Sequence, residues 1–237
     1  MGKTLIQQAR GKGSLRYRAP SFRYAGKAEH FKLSPEPLSG IVMDIIHCQG
    51  HSAPLAQIKY EQEVGLIVAP EGICVGDQIV IGQDIDLRPG NVLALKDIPE
   101  GTLIHNIERS PGDGGKFVRA GGVFGKVVSQ LGNDVVVRLP SKKNKSFNAN
   151  CRASIGIVAG GGRLEKPFLK AGTMYHRMRA RNKLYPIVGG GSQNAVDHPF
   201  GNARTSRKAK VKPVGRNAPP GRKVGMISPR RTGRKKR

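Results

Sequence analysis

Short runs of apolar residues, separated by turn residues, recur along the middle of the chain. Between residues 41 and 160, 28 of 120 residues are Val or Ile, and β-branched side chains suit the pleated surface of a strand. Turn residues such as Pro99-Glu100-Gly101 and Leu131-Gly132-Asn133-Asp134 separate the runs. The pattern predicts ten strands: Gly40–Ile46, Leu55–Tyr60, Val64–Val68, Gln78–Ile81, Asn91–Leu95, Thr102–Ile107, Phe117–Ala120, Gly125–Ser129, Val135–Leu139 and Ser154–Val158.

Ten short strands without a helical period between them are typical of small antiparallel barrels. The region is long for one five-stranded barrel, and Pro89-Gly90 marks a break near its middle. We therefore predict an all-β protein, with an OB-like barrel over residues 35–88 followed by an SH3-like barrel over residues 89–160. Each barrel is small for burying a core alone, so we expect the two to pack together.

The two ends of the chain are predicted to be long, basic and mostly irregular extensions, residues 1–34 and 161–237. In the second extension only 7 of 77 residues are Val or Ile, and 11 are Gly. Its one helical pattern covers Thr173–Asn182. So few apolar residues cannot offset the chain entropy of folding, and we expect this extension to take a fixed shape only on a partner.

Charge follows the same division of the chain. The formal net charge is +25, and residues 41–160 hold 12 basic and 12 acidic side chains. Residues 1–40 hold 8 basic and 2 acidic side chains, and residues 161–237 hold 21 and 2. Such an excess destabilises a compact state unless a polyanion offsets it. The charge alone therefore predicts an acidic partner, and a tail that only solubilises or localises the protein is the alternative. Arginines spread through the second extension favour a nucleic acid, since they make forked contacts to phosphate and stack on bases.

Other features of the sequence exclude several classes of protein. The three cysteines are an odd number without tight spacing, which argues against a disulfide scaffold and fits a reducing compartment. No apolar run approaches the roughly 18–20 residues that span a bilayer, and the N-terminus has no signal region. We expect a soluble, cytoplasmic protein without a membrane partner.

The N-terminal extension alternates aromatic residues with arginines. Bases can stack on Tyr17, Phe22 and Tyr24 while the arginines contact phosphates. The same aromatic residues could instead anchor the extension on the barrel. Both interpretations remain open from the sequence.

Two loops of the neutral centre also have the chemistry of a phosphate contact. Ser141–Ser146 contains three lysines and is either a cationic tip or an ordinary solvated hairpin. The turn Pro111–Gly115, which precedes Lys116 and Arg119, could bind a phosphate through its backbone N–H groups. No P-loop pattern is present, so no nucleotide site or other cofactor is expected.

Metal and catalytic sites have weaker support. Cys48-x-x-His51 has the spacing of metal ligands but no second pair at a matching interval, and we expect Cys74 and Cys151 to be core residues. His198 follows Asp197 and precedes a proline, which favours an extended segment where neighbouring side chains point apart. The pair is therefore poorly arranged for acid–base catalysis, and we predict an RNA-contacting turn.

The predicted RNA-binding residues are cations of the extensions and loops, with three residues of this turn. They are Arg16, Arg18, Arg23, Lys116, Arg119, Lys142, Lys143, Arg163, Arg177, Arg179, Arg181, Lys183, Asn194, Asp197, His198, Arg204, Arg216, Arg222, Lys223, Arg230, Arg231 and Arg234.

Short segments spread over nearly the whole chain form a pattern that is specific when they are taken together. They are Tyr17-Arg-Ala-Pro, Ala69-Pro-Glu-Gly72, Val75-Gly-Asp77, Ile98-Pro-Glu-Gly-Thr-Leu-Ile-His105-Asn-Ile-Glu108, Pro111-Gly-Asp-Gly-Gly115, Gly162-Arg-Leu-Glu-Lys-Pro-Phe168, Asn194-Ala-Val-Asp-His-Pro-Phe-Gly201, Arg216-Asn-Ala-Pro-Pro-Gly-Arg-Lys-Val-Gly225 and Arg231-Thr-Gly-Arg234. With these segments, nearly the whole chain resembles the ribosomal protein L2 family in its archaeal and eukaryotic branch.

The resemblance implies an OB fold followed by an SH3-like barrel, with both ends extended into RNA. It implies a structural protein of the large ribosomal subunit that binds ribosomal RNA and other ribosomal proteins, organises RNA near the peptidyl transferase centre, contacts the small subunit, and supports tRNA binding and translation. No small-molecule substrate and no enzyme activity are expected. The alternatives are direct participation of His198 in peptide transfer and an architectural nucleic-acid binder outside the ribosome.

One segment departs from the family. After Phe200-Gly201 the family usually continues with more glycines, often with a further His, whereas this chain continues Asn202-Ala203-Arg204. The backbone path there is expected to differ.

Overall fold

The computed structural model describes residues 3, 6–31, 37–83, 85–198 and 200–202. Residues 20–170 form one compact unit, and residues 1–19 together with 171–237 form a second. Each unit is described by itself below. Within the described residues, no helix is long and apolar enough to cross a membrane.

The first unit contains one mixed sheet of ten strands. They are β1 (Leu38–Ile46), β2 (Leu55–Tyr60), β3 (Glu63–Val68), β4 (Gln78–Ile81), β5 (Val92–Ala94), β6 (Leu103–His105), β7 (Gly125–Leu131), β8 (Asp134–Arg138), β9 (Asn144–Asn148) and β10 (Arg152–Ile155). The order across the sheet is β3-β2-β1-β4-β5-β10-β6-β7-β8-β9. The all-β class predicted from the sequence is confirmed.

Strands β1 to β4 form the first part of the sheet. β1 pairs antiparallel with both β2 and β4, and its register with β2 shifts between Val42 and Asp44. Such a bulge bends the strand and increases its twist. Buried residues of these strands, including Ile58, Ile67 and Ile79, pack into one hydrophobic cluster.

Strands β5 to β10 form the second part. β5 pairs in parallel with β4 at one position, Ile81 opposite Val92, and β10 pairs antiparallel with both β5 and β6. A second hydrophobic cluster includes Leu93, Ile104 and Phe147. The boundaries at residues 35, 89 and 161 stay predictions.

Two of the strand predictions are wrong. Phe117–Ala120 is not a strand, since it forms only an isolated bridge between Phe117 and Ile107. Asn144–Asn148 was not predicted as a strand, and its first three residues were predicted to lie in the loop Ser141–Ser146, but it is strand β9, which pairs along its whole length with β8. Its apolar content is low because only Phe147 is fully buried in this edge strand.

The cysteine predictions are half right. Cys151 is a fully buried core residue, as expected, but Cys74 is exposed. Cys74 lies in the turn before β4, where its backbone N–H donates to Asp77 Oδ2 (2.7 Å). That turn leaves its side chain outside the core.

A buried ion pair joins β10 to the loop after β6. Arg152 Nη2 and Nε donate to Glu108 Oε1 (2.7 and 3.1 Å), and the Arg152 backbone N–H donates to Glu108 Oε2 (2.9 Å). Arg152 Nη1 also donates to the carbonyl oxygen of Phe31 (2.5 Å). Burial alone would raise the pKa of Glu108, but its hydrogen bonds and the Arg152 charge outweigh burial and lower it.

Two buried histidines lie close to this ion pair. The His30 Nε2 lies 2.6 Å from the carbonyl oxygen of Asn106, and the His105 Nδ1 lies 3.2 Å from that of Gly156. Burial lowers the pKa of each histidine to about 4, and for His30 the Arg152 charge acts in the same direction. Both imidazoles are therefore neutral at neutral pH.

Among its described residues, the second unit contains two short helices, α1 (Ile6–Gly11) and α2 (Ala171–Ala180). The predicted helix is confirmed, although α2 begins two residues before Thr173 and ends two before Asn182. Asn182 has a positive φ of 49°, which asparagine tolerates better than most residues just after a helix. The helix ends there.

Candidate nucleic-acid interface

The exposed face of β7, β8 and β9 carries cations in adjacent positions. Lys126 on β7 pairs with Arg138 on β8, and Arg138 pairs with Asn144 on β9. Directly opposite residues of an antiparallel pair project from the same face, and like charges there are destabilising. In the described part of the chain, no carboxylate lies within 4 Å of either cation. This arrangement fits a surface that binds an anion.

A cleft of about 430 Å³ lies on this face, lined by Val128, Arg138, Lys142 and Asn144. Lys142 was predicted from the sequence, but Lys126 and Arg138 were missed. The sequence pattern did not indicate this pair, because a regular hairpin centred on the Gly132-Asn133 turn places position 126 opposite position 139. The register shift between Val127 and Ser129 brings Lys126 opposite Arg138 instead. We refer to Lys126, Arg138, Lys142, Lys143 and Asn144 as the β7–β9 face.

The turn between β8 and β9 presents Lys142 and Lys143 to solvent. The Lys142 backbone N–H donates to the Leu139 carbonyl (2.8 Å), and the Leu139 N–H donates to the Lys143 carbonyl (2.9 Å). Lys142 has a φ of 63°, a conformation that costs a residue with a Cβ about 1–2 kcal/mol. The turn therefore holds a lysine where glycine would be less strained.

Lys145 points elsewhere. Its Nζ lies 3.8 Å from the ring centre of Phe117 and 4.9 Å from that of Phe147. Partial burial, with the Arg109 charge second, lowers the pKa of Lys145. Of the three lysines in the predicted loop, this one covers the edge of the core through cation–π contacts.

The glycine-rich turn at residues 111–115 uses its backbone N–H groups within the chain. The N–H groups of Gly112 and Gly114 donate to Glu108 (3.2 and 3.1 Å), and that of Gly115 donates to Asp113 (3.0 Å). The expectation that these amides bind a phosphate is therefore wrong, because carboxylates of the same chain already accept from them.

The two cations after that turn have different surroundings. Lys116 is exposed, whereas Arg119 donates from Nη1 to the Gly115 carbonyl (2.8 Å) and from Nη2 to the Ala28 carbonyl (2.6 Å). Burial lowers the pKa of Arg119. Arg119 thus holds the N-terminal segment to the turn, and Lys116 is the residue of this pair that is open to a partner.

The two N-terminal aromatic residues of the first unit, Phe22 and Tyr24, have different surroundings: Tyr24 anchors the segment, and base stacking on Phe22 stays a prediction. The Tyr24 ring packs against Gly50 and the cluster that contains Leu55 and Val68, so it anchors the segment. Phe22 is 81% exposed, with the exposed Arg23 guanidinium 5.3 Å from its ring centre. Phe22 is therefore available for a base to stack on.

The second unit brings the N-terminal arginines close to the residues after α2. Asn182 Nδ2 donates to the carbonyls of Arg16 and Arg18 (2.7 and 2.8 Å), and Arg10 Nη2 donates to the Asn182 carbonyl (2.5 Å). The Arg10 and Arg16 guanidinium carbons lie 5.3 and 5.9 Å from the ring centre of Tyr17. Sequence reasoning missed Asn182, which joins two stretches about 165 residues apart in the chain.

Other predicted cations lie on or beside α2. Arg179 and Lys183 are exposed, and Arg177 and Arg181 are half-buried. Arg163 lies in the first unit in a short 3₁₀ turn and is also half-buried.

The predicted turn at residues 194–198 is a closed loop in the second unit. The backbone N–H groups of Asp197 and His198 both donate to the Asn194 carbonyl (3.0 and 3.1 Å). A Cβ at Gly201 would lie 2.2 Å from that same carbonyl oxygen, so only glycine fits there. Asn202, the first residue at which the chain departs from the family, has a positive φ of 56°, and a backbone path different from that of the family stays a prediction.

The side chains of Asp197 and His198 bind different partners. Asp197 Oδ1 lies 3.7 Å from Lys3 Nζ, whereas His198 Nδ1 accepts the Phe200 backbone N–H (3.1 Å). The imidazole packs against Phe200, with ring centres 5.1 Å apart, and against Gly190. The geometry gives the histidine a packing role in the loop.

Seven predicted residues lie outside the described part of the chain: Arg204, Arg216, Arg222, Lys223, Arg230, Arg231 and Arg234. Among the described residues, no group of three or more His, Cys, Asp or Glu side chains could hold a metal ion. His51 Nδ1 lies 3.2 Å from Cys48 Sγ, which is a hydrogen-bonded pair.

Comparison with known proteins agrees with the resemblance. The family model of the C-terminal domain of ribosomal proteins L2 matches residues 88–219. A large ribosomal subunit protein uL2 of Archaeoglobus fulgidus is 50% identical over 234 residues, which cover 98% of this chain and 99% of that protein. The proteins of the same name from Haloarcula marismortui and Methanococcoides burtonii are 48% and 49% identical, each over 99% of this chain and over 98% and 100% of their own lengths.

Proposed function

The chain belongs to the L2 family of large-subunit ribosomal proteins, and on this premise we propose that the β7–β9 face and the basic extensions bind ribosomal RNA. Membership makes the chain a structural constituent of the ribosome, a ribonucleoprotein that acts in translation. Most of the affinity then comes from contacts with phosphates, and much of the specificity from RNA shape.

The observation that carries the proposal is the placement of Lys126 opposite Arg138 on the exposed face. A protein that folds alone gains nothing from two like charges on neighbouring strands. A phosphate between them changes the sign of the interaction, since each cation then makes a charge-assisted hydrogen bond. Lys142 and Asn144 border the same cleft and extend the site.

The proposal extends to finer roles that the resemblance implies. These are organisation of the RNA near the peptidyl transferase centre, contacts with other ribosomal proteins and with the small subunit, support of tRNA binding, and a cytoplasmic location. The closed loop that contains Asp197 and His198 supports an RNA contact at that end of the chain, because its hydrogen bonds give it a defined shape.

The first experiment separates a ribosomal protein from a general nucleic-acid binder. Large subunits assembled with the full chain are washed in high salt and sedimented. We expect the chain to remain with the particles and to prefer large-subunit RNA over an unrelated duplex of equal length. Loss of the chain into the wash, with equal binding to both RNAs, would contradict the proposal.

A second experiment tests the alternative that His198 takes part in peptide transfer. The substitution is His198→Ala, and the rate of peptide-bond formation is measured per assembled particle. We expect an unchanged rate, since His198 Nδ1 already accepts a backbone N–H and Asp197 lies against Lys3. A rate that falls in fully assembled particles would favour the catalytic alternative.

A further inference from the structure

A cavity of about 450 Å³ lies beside the closed loop in the second unit. Its apolar lining includes Ile6, Leu184 and Ile187, and its polar lining includes Lys3, Asn194 and Asp197. Sites for small ligands have this volume and combine an apolar lining with a few polar groups.

Hydrogen bonds fix the shape of the cavity. Gln193 Nε2 donates to the Val188 carbonyl (2.9 Å), and the Asn202 N–H donates to the Gln193 carbonyl (2.9 Å). The Lys3 N–H donates to the Val196 carbonyl (2.8 Å), which closes the side formed by the N-terminal residues. The backbone around the cavity is therefore held in place before a ligand arrives.

The carboxylate of Asp197 is the unusual feature of this site. Residues 161–237 contain 21 basic residues and only two acidic ones, and a carboxylate on a phosphate-binding surface is repelled by its ligand. Its pair with Lys3 is weak, since Oδ1 and Nζ are 3.7 Å apart and the two side chains are 48% and 75% exposed. A carboxylate here is favourable only where the RNA presents hydrogen-bond donors.

We propose that this cavity binds an unpaired guanine of the ribosomal RNA, and this inference rests on the proposed function. A carboxylate only accepts hydrogen bonds, and guanine is the base whose Watson–Crick edge presents two adjacent donors, N1–H and the N2 amino group. The Asp197 oxygens accept from these donors, and the ring lies against Leu184 and Ile187. When the base enters the cavity, Lys3 moves away from Asp197 and contacts a neighbouring phosphate. Unpaired bases in RNA loops are commonly splayed out in this way when a protein binds them.

The test uses kethoxal, a reagent that modifies guanine at N1 and N2. Subunits are assembled with the wild-type chain, with Asp197→Asn, or with Glu165→Gln as the matched control. Glu165 is the other acidic residue of 161–237, and it is exposed in the first unit. We expect one guanine, protected in wild-type and Glu165→Gln particles, to become several-fold more reactive in Asp197→Asn particles.

A second variant, Ile187→Glu, places a charge in the apolar lining and should expose the same guanine. Identical kethoxal patterns in all particles would overturn the inference, as would a change confined to adenine N1 seen with dimethyl sulfate. Failure of the wild-type chain to bind the RNA would instead contradict the proposed function, so the two failures are distinguishable.

Discussion

Arg152 and Arg138 lie on strands of one sheet and have opposite surroundings. Arg152, in the central strand β10, is buried and bonded to Glu108 and to the Phe31 carbonyl. Arg138, near the edge in β8, is exposed and lies opposite another cation, Lys126. The central charge is neutralised within the chain and holds the fold together, whereas the edge charges remain for a partner.

The largest effect is expected from breaking the central pair. Arg152→Met leaves Glu108 buried without its guanidinium partner, which typically costs about 3–5 kcal/mol. Urea unfolding of the full chain should show this loss of unfolding free energy, while Arg138→Met serves as the control and changes it little. Equal destabilisation by the two variants would contradict the distinction between centre and edge.

The next largest effect is the pH dependence of the unfolding free energy that the two buried histidines cause. The pKa values of His30 and His105 are lowered to about 4 in the folded chain, whereas an unfolded histidine has a pKa of about 6.5. The two neutral histidines therefore stabilise the fold fully above about pH 6.5, and this contribution is lost as the pH falls towards 4. Each accounts for roughly 3 kcal/mol. Glu108 adds a loss at lower pH, because its pKa is also lowered.

Thermal unfolding of the full chain checks this prediction. The midpoint should fall steadily between about pH 6.5 and about pH 4. His198→Gln, a change in the closed loop, should leave the slope unaltered. A midpoint that stays level over this interval would show that the buried histidines do not titrate as described.

A smaller effect separates stability from binding at the β8–β9 turn. Lys142→Gly removes the strain of a φ of 63° and should raise the unfolding free energy by about 0.5–1 kcal/mol, while weakening RNA binding through the lost charge. Lys143→Gly is the control, since its φ is not positive, and it should lower both. A Lys142→Gly chain that binds RNA as well as wild type would remove Lys142 from the interface.

Much of the fold could be predicted from local sequence patterns. Short apolar runs rich in Val and Ile, separated by turn residues, predicted nine of the ten strands, including β8, because β-branched side chains suit a half-buried strand. Strand β9 lies at the sheet edge and has only one buried side chain, so its sequence has too few apolar residues to predict a strand. Phe117 had the composition of a strand, but its ring packs on Phe147 and its backbone forms only one bridge.

The interface was harder to predict because exposure is a property of the folded chain. Arg119 and Lys116 look alike in the sequence, yet Arg119 donates to two carbonyls and Lys116 is exposed. The glycine-rich turn looked open to phosphate until Glu108, a residue outside it, was seen to accept its amides. Such assignments depend on contacts between distant residues, which spacing alone does not give.

The most direct measurement is the salt dependence of RNA binding by Lys126→Gln/Arg138→Gln. We predict that the slope of log K against log salt falls in magnitude by roughly 1.5, since two phosphate contacts are lost, while the unfolding free energy stays the same or rises slightly. The control Lys59→Gln/Lys96→Gln removes the same charge from exposed positions outside the β7–β9 face and should keep the wild-type slope. Equal slopes for the wild-type chain and both double variants would contradict the assignment of this face to RNA.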